Sequence, residues 1–151
     1  MKKHLVFAFL FLIILSSCSS PKKNMGSSAS YSSSQAALMD HNTFKLTVVS
    51  DNESYGYTQQ NPVKVGGVKS SEGPLNERRF LNALLGPAGQ KPSYERQGSR
   101  CPFNSRNGLM GSGLLDKYEI KYEGIEKPVI IYINMYDLGE LKAPKGFTFV
   151  Q

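Results

Sequence analysis

Cys101 sits in the stretch Ser99-Arg100-Cys101-Pro102-Phe103, with Arg96 and Arg106 near it in sequence. A thiolate is the reactive form of cysteine, and neighbouring cations favour it. Such a group could attack an electrophile or exchange with a disulfide. A thiol nucleophile normally has a base beside it, and the flanking residues supply none. Unpaired cysteine is also one of the residue types most often found inside proteins, and Phe103 turns the segment inward. Three roles for Cys101 are open, in this order: a structural thiol, a redox or intermolecular-disulfide thiol, and a catalytic nucleophile.

Other chemistry is sparse. The chain has two histidines, His4 and His41. A metal site takes three or four ligands from His, Cys, Asp and Glu, and no suitable spacing occurs, so neither a metal nor another cofactor is expected. A Ser-His-Asp set would have to use His41, which lies where nothing holds it rigidly. Gly108 to Gly113 (GLMGSG) is neither a dinucleotide fingerprint nor a phosphate loop, and turns explain both it and VGGVKSSEGP.

The second cysteine, Cys18, changes the account of Cys101. Lys2 and Lys3 precede an unbroken apolar run of eleven residues, Leu5 to Leu15. That length suits a signal-peptide core and falls short of the roughly 20 residues that span a bilayer. Leu15-Ser16-Ser17-Cys18 resembles the lipobox of bacterial lipoproteins. The resemblance implies cleavage of residues 1–17, with acyl chains such as palmitate on Cys18. Several acyl chains anchor far more firmly than one, at about 0.8 kcal/mol per buried methylene. A lipidated Cys18 cannot bridge to Cys101, which is then left solitary.

Residues 18–41 are dominated by serine and other small residues and show no periodicity. Such a segment buries too little apolar surface to offset the entropy of ordering it, so a flexible tether is expected. Ser19, rather than an acidic residue, follows the cysteine. By resemblance to lipoprotein sorting, this implies the outer membrane of a two-membrane cell, facing the periplasm.

The basic excess is localised. The whole chain is formally +6, and loss of Lys2 and Lys3 leaves +4. Residues 76–106 alone carry +4, and all five arginines fall there: Arg78, Arg79, Arg96, Arg100 and Arg106. The planar guanidinium suits carboxylate and phosphate oxygens. Arg78, Arg79, Arg96 and Arg100 are therefore candidate contacts for an anionic or acidic partner, set against a merely solvated basic face. Anionic lipid headgroups are a third option. Nucleic acid is excluded by compartment.

These residues need a scaffold. Residues 42–151 make one domain of common size. Thr43 to Ser50 predicts a strand, and Tyr55 to Thr58 and Pro62 to Val68 predict shorter ones. Pro74 to Gly86 predicts the main helix, with Pro74 in its first turn and Gly86 as its stop. Leu81, Leu84 and Leu85, with Leu75 or Phe80, form its apolar stripe, and Arg78, Arg79 and Asn82 lie towards the other side. Leu115 to Tyr122 alternates as a half-buried strand. Residues 123–128 form a hairpin loop, and Val129 to Tyr136 a central strand covered on both faces. Gly146 to Val150 adds an edge strand. The expected fold class is α+β: an antiparallel sheet of four to six strands with one main helix on a face.

YGYTQQNPVKVGG, GPLNERRFLNALLGP, SYERQGSRCPF, GLLDKYEIKYEG and PVIIYINMYDLGELKAPKGF together resemble a family of small bacterial envelope lipoproteins, over about residues 55 to 149. Some members carry the name 2-dehydro-3-deoxyphosphooctonate aldolase, which implies chemistry on an eight-carbon sugar acid phosphate. Enzymes properly so named are (β/α)8 barrels of about 250 residues, and the alternating strand-helix pattern is missing here.

The sequence therefore predicts a lipid-anchored periplasmic binding or accessory domain. Its membrane contact is the anchor on Cys18, and its partner is an envelope protein or an anionic glycan or lipid. Pro74 to Gly86 and a loop from Tyr94 to Arg106 form the expected contact face. A thiol-dependent redox or enzymatic role at Cys101 is the second expectation, and the aldolase the third.

Overall fold

A computed structural model describes residues 35–151. Residues 1–34, with the expected signal peptide, Cys18 and most of the tether, lie outside the described residues. The strands are β1 (Leu38–Asp40), β2 (Thr43–Phe44), β3 (Val63–Lys64), β4 (Leu84–Leu85), β5 (Ser93–Leu109), β6 (Ser112–Lys121), β7 (Val129–Asn134) and β8 (Thr148–Phe149); the helix α1 is Gly73–Asn82. The fold is α+β. Its main sheet has four strands in the order β3-β7-β6-β5, and β1-β2 and β4-β8 are separate two-stranded ladders.

The main sheet is mixed, not purely antiparallel as expected. β3 runs parallel to β7, while β5, β6 and β7 form an antiparallel meander. Only the meander is joined by short turns, and short turns are what force neighbouring strands to run antiparallel. Between β5 and β6, Met110 (φ 52) and Gly111 (φ 79) form a two-residue turn of the I′ kind that matches strand twist.

β5 replaces the expected loop from Tyr94 to Arg106. Its period-2 pattern is hidden because Gln97 and Cys101 are each an extra residue opposite β6, in register breaks between Arg96 and Gly98 and between Arg100 and Pro102. Bulges of this kind sit naturally at sheet edges. An edge strand also tolerates Pro102, since only one of its sides is paired.

The helix starts where Pro74 predicts but stops at Asn82, not Gly86. Leu84 and Leu85 leave it to pair with Phe149 and Thr148, and the Val150 amide donates to the Ala83 carbonyl. The tail thus captures the last two residues of the expected stripe. Phe80 and Leu81 remain on α1 and bury fully against Phe44, Ile120, Ile131 and Ile133. Each such side chain contributes about 1.5–3 kcal/mol by leaving water.

Four smaller expectations are corrected. Of Thr43 to Ser50 only β2 is a regular strand. The rest stays extended, with Leu46 buried and Val49 bridging Ala143 in parallel. Tyr55 to Thr58 is a turn, because Asn52 Oδ1 accepts the Ser54 amide and the Ser54 carbonyl accepts the Tyr57 and Thr58 amides. β7 is central, but Ile130 and Tyr132 are only half-buried, so one face alone is fully covered. The domain also begins earlier than residue 42. Ala36 packs on the core and β1 pairs with β2, so those residues of the expected tether are folded.

Candidate functional site

The fold separates the four candidate arginines. Arg78 is exposed on α1, while its neighbour Arg79 is 5% exposed. Arg79 Nε donates to the His41 carbonyl at 2.9 Å, and its Nη1 donates to Asn76 Oδ1 at 2.8 Å and Glu72 Oε1 at 3.2 Å. Its fork holds the β1-β2 turn to the helix. The expectation that Arg79 faces a partner is therefore corrected.

Arg96 points from β5 onto β6. Nε and Nη2 grip Asp116 Oδ2 and Oδ1 at 2.9 and 2.8 Å. The register explains it: Arg96 lies opposite Tyr118 and Ser99 opposite Asp116, on the sheet face that α1 covers. Arg100 and Arg106 are exposed further along β5. Among the described residues, Arg78, Arg100 and Arg106 make no ion pair.

Beneath Arg96 lies an acidic pair that sequence reasoning missed. Glu77 on α1 is fully buried, and its Oε2 accepts the Tyr118 hydroxyl at 2.8 Å. Its Oε1 is buried and faces no N–H or O–H donor. Burial pushes the Glu77 carboxyl up to about 8, the Asp116 carboxylate beside it adds to the rise, and the Tyr118 hydroxyl opposes it. Burial also works against ionised Asp116. Hydrogen bonds from Arg96, Ser99 and Glu77 outweigh it, and Asp116 is held below the ordinary carboxylate range. Burial therefore favours the protonated form of Glu77, while Asp116 beside it stays ionised. Enclosed as it is, Glu77 can store a proton but cannot meet a substrate.

Cys101 forms no disulfide and is half-buried. As the extra residue of its bulge it takes φ 60, a left-handed conformation that side chains other than Gly, Asn and Asp rarely adopt. Phe103 is half-buried and, contrary to expectation, does not reach the core; it packs edge-to-face on Tyr136, with ring centres 5.9 Å apart.

The hairpin end of β5 and β6 is tied down by Asp137. Its Oδ1 accepts Ser105 Oγ at 2.7 Å and Asn107 Nδ2 at 3.0 Å, and its Oδ2 accepts Asn134 Nδ2 at 3.0 Å. Burial opposes the charge on Asp137, but these bonds win and hold its carboxyl below the ordinary range. A cleft of ≈ 300 Å³ lies beside this knot, lined by Gly67, Lys69, Ser70, Asn107, Tyr136 and Leu138 among others. GLMGSG forms the hairpin turn, as expected of it. Beyond the knot, Leu109 is 85% and Met110 97% exposed.

Among the described residues, no three His, Cys, Asp or Glu side chains are grouped to hold a metal ion, and no helix is long and apolar enough to cross a membrane. No family model, curated protein or solved structure matches the chain.

Proposed function

We propose that this chain is a lipid-anchored domain of the bacterial envelope, held to the outer membrane through Cys18 and facing the periplasm. It binds a partner through the outer side of the β5–β6 hairpin. One observation carries the reading: Arg100 and Arg106 stand exposed and without ion pairs on a long edge strand that ends in an exposed apolar tip. Bulges and Pro102 discourage another strand from adding to that edge, so recognition runs through side chains. An envelope protein and an anionic glycan or lipid both offer the carboxylate or phosphate groups that arginine forks bind. The anchor and the compartment rest on the N-terminal sequence, and the resemblance to envelope lipoproteins on motifs between about residues 55 and 149.

The test reverses charge at Arg100 and Arg106 together, followed by crosslinking in cells. The expected result is loss of the principal crosslinked species; an unchanged profile would remove this surface from consideration. Mass spectrometry of the intact protein checks the anchor, with an acyl mass increment expected on Cys18.

A second reading, a redox or nucleophilic role for Cys101, is favoured by its half-exposure in a strained bulge. Thiol labelling of the native domain tests it, since a thiol that stays unlabelled until denaturation leaves only a structural role. For the aldolase activity in the family's name, the four-stranded open sheet offers no barrel, and a coupled assay with the sugar acid phosphate is expected to give no turnover.

A further inference from the structure

We propose that the tip of the β5–β6 hairpin inserts Leu109 and Met110 into the interface of an anionic lipid bilayer, with Arg106 and Arg100 at headgroup level; this deepens the anchored-domain reading above and rests on it. The turn itself provides the first reason. Its first position has φ 52, where a I′ turn ordinarily takes Asn, Asp or Gly. Methionine is a poor choice for the backbone there, and at 97% exposure it gains no packing in return. Leu109 beside it is 85% exposed. A lone exposed leucine is ordinary. Two large apolar residues in succession on a projecting turn, one of them against the turn's own preference, serve something outside the fold.

Charge identifies what that is. Arg100 and Arg106 lie on the same hairpin without ion pairs, and Lys69 is exposed across the cleft from Asn107. The nearby acids are already engaged: Asp137 by Ser105, Asn107 and Asn134, and Asp116 by Arg96. The tip is therefore apolar at its end and cationic behind it, the arrangement that suits acyl chains beneath phosphate headgroups. A second copy of this chain would bring like charges together.

The hairpin is also held in place by its own hydrogen bonds before it binds. Besides the Asp137 knot, the Ser105 amide donates to the Gly111 carbonyl at 3.0 Å and the Asn107 amide to Ser105 Oγ at 3.1 Å. Little ordering entropy is lost on insertion. Two apolar side chains and two or three cations bind a bilayer weakly on their own. A lipid anchor on the same chain holds the tip at high effective concentration, so a weak contact fixes which way the domain faces.

The test uses the native lipidated protein in vesicles of phosphatidylcholine, with and without phosphatidylglycerol. Peroxide oxidation of Met110 is read by peptide mass spectrometry, with Met39 as internal control. Met110 oxidation is expected to slow at least five-fold in the anionic vesicles relative to the neutral ones, with Met39 unchanged. Arg100→Glu with Arg106→Glu should abolish that difference. Protein that floats with both kinds of vesicle while Met110 oxidises equally in both retains the anchor and overturns the tip. Protection by anionic vesicles of protein that carries no acyl mass upholds the tip and overturns the anchor. Protection by added envelope proteins but by neither vesicle would assign the tip to a protein groove and overturn the bilayer.

Discussion

Glu77 on α1 and Tyr118 on β6 meet through a 2.8 Å hydrogen bond in a region closed to solvent, and Glu77 keeps its proton at neutral pH. The contact pins the helix to the middle of the sheet. Arg96 and Ser99 on β5 and Asp116 on β6 complete the set of groups around it.

A pH dependence follows. Glu77 rises from 4.5 to about 8 on folding, so between those values the folded chain binds the extra proton. Stability is therefore full below pH 4.5 as far as Glu77 is concerned, and is lost as pH climbs through about 8. The steepest slope is about 1.4 kcal/mol per pH unit. Asp116 acts in the opposite sense, contributing above 3.8 and losing its contribution as pH falls through its lowered value. Urea unfolding at pH 5, 6.5 and 8 is expected to show falling stability, and Glu77→Gln, a neutral isostere that can still donate, should flatten the trend.

Arg78 and Arg79 are adjacent yet should behave differently. Arg79→Ala orphans Asn76 Oδ1 in a buried place and releases the part-buried hold on the His41 carbonyl, at a cost of about 2–4 kcal/mol. Arg78→Ala, on the exposed side of α1, should stay within about 0.5 kcal/mol. Thermal melts of the two variants separate them.

Cys101 takes a backbone conformation that costs roughly 1–2 kcal/mol for a residue with a Cβ. Cys101→Gly should therefore match or exceed the wild type in stability, whereas β-branched Cys101→Val should lower it by about 1 kcal/mol. Chemical denaturation reads both. A large loss in the glycine variant would mean that the thiol itself packs in the fold.

Met110→Asn places at the turn the residue its backbone asks for. The expected gain is about 0.5–1 kcal/mol, seen as a melting temperature about 2–5 °C higher. The same variant should lose preference for anionic vesicles. A substitution that strengthens the fold while weakening the contact separates the two demands on this position.

What the sequence revealed depended on how local the cause was. Pro74 marked the helix start, and the alternation of Tyr118, Ile120 and Tyr122 with charged residues marked β6, because those signals lie within a few residues. The stop of α1 was illegible: Leu84 and Leu85 are taken by Phe149 and Thr148 from the far end of the chain. β5 was hidden by its own bulges at Gln97 and Cys101. The arginines were visible as a cluster, but only the fold shows that Arg79 turns inward and Arg96 is already held. Nothing near Glu77 in the sequence signals its burial, which is tied to Tyr118, 41 positions away.

The widely spaced pairings also determine the order in which this domain comes together. Tyr55 reaches Glu140 across 85 positions and Tyr57 reaches Lys145 across 88, while β5, β6 and β7 need only their own turns. Folds that depend on such non-local pairings form slowly, on the order of milliseconds to seconds. The meander is expected to form first and the N-terminal segment and tail to dock onto it last, an order that pulse-labelled hydrogen exchange during refolding checks. A chain that delays its own completion in this way stays threadable for longer, which is what the proposed export across a membrane would require of it.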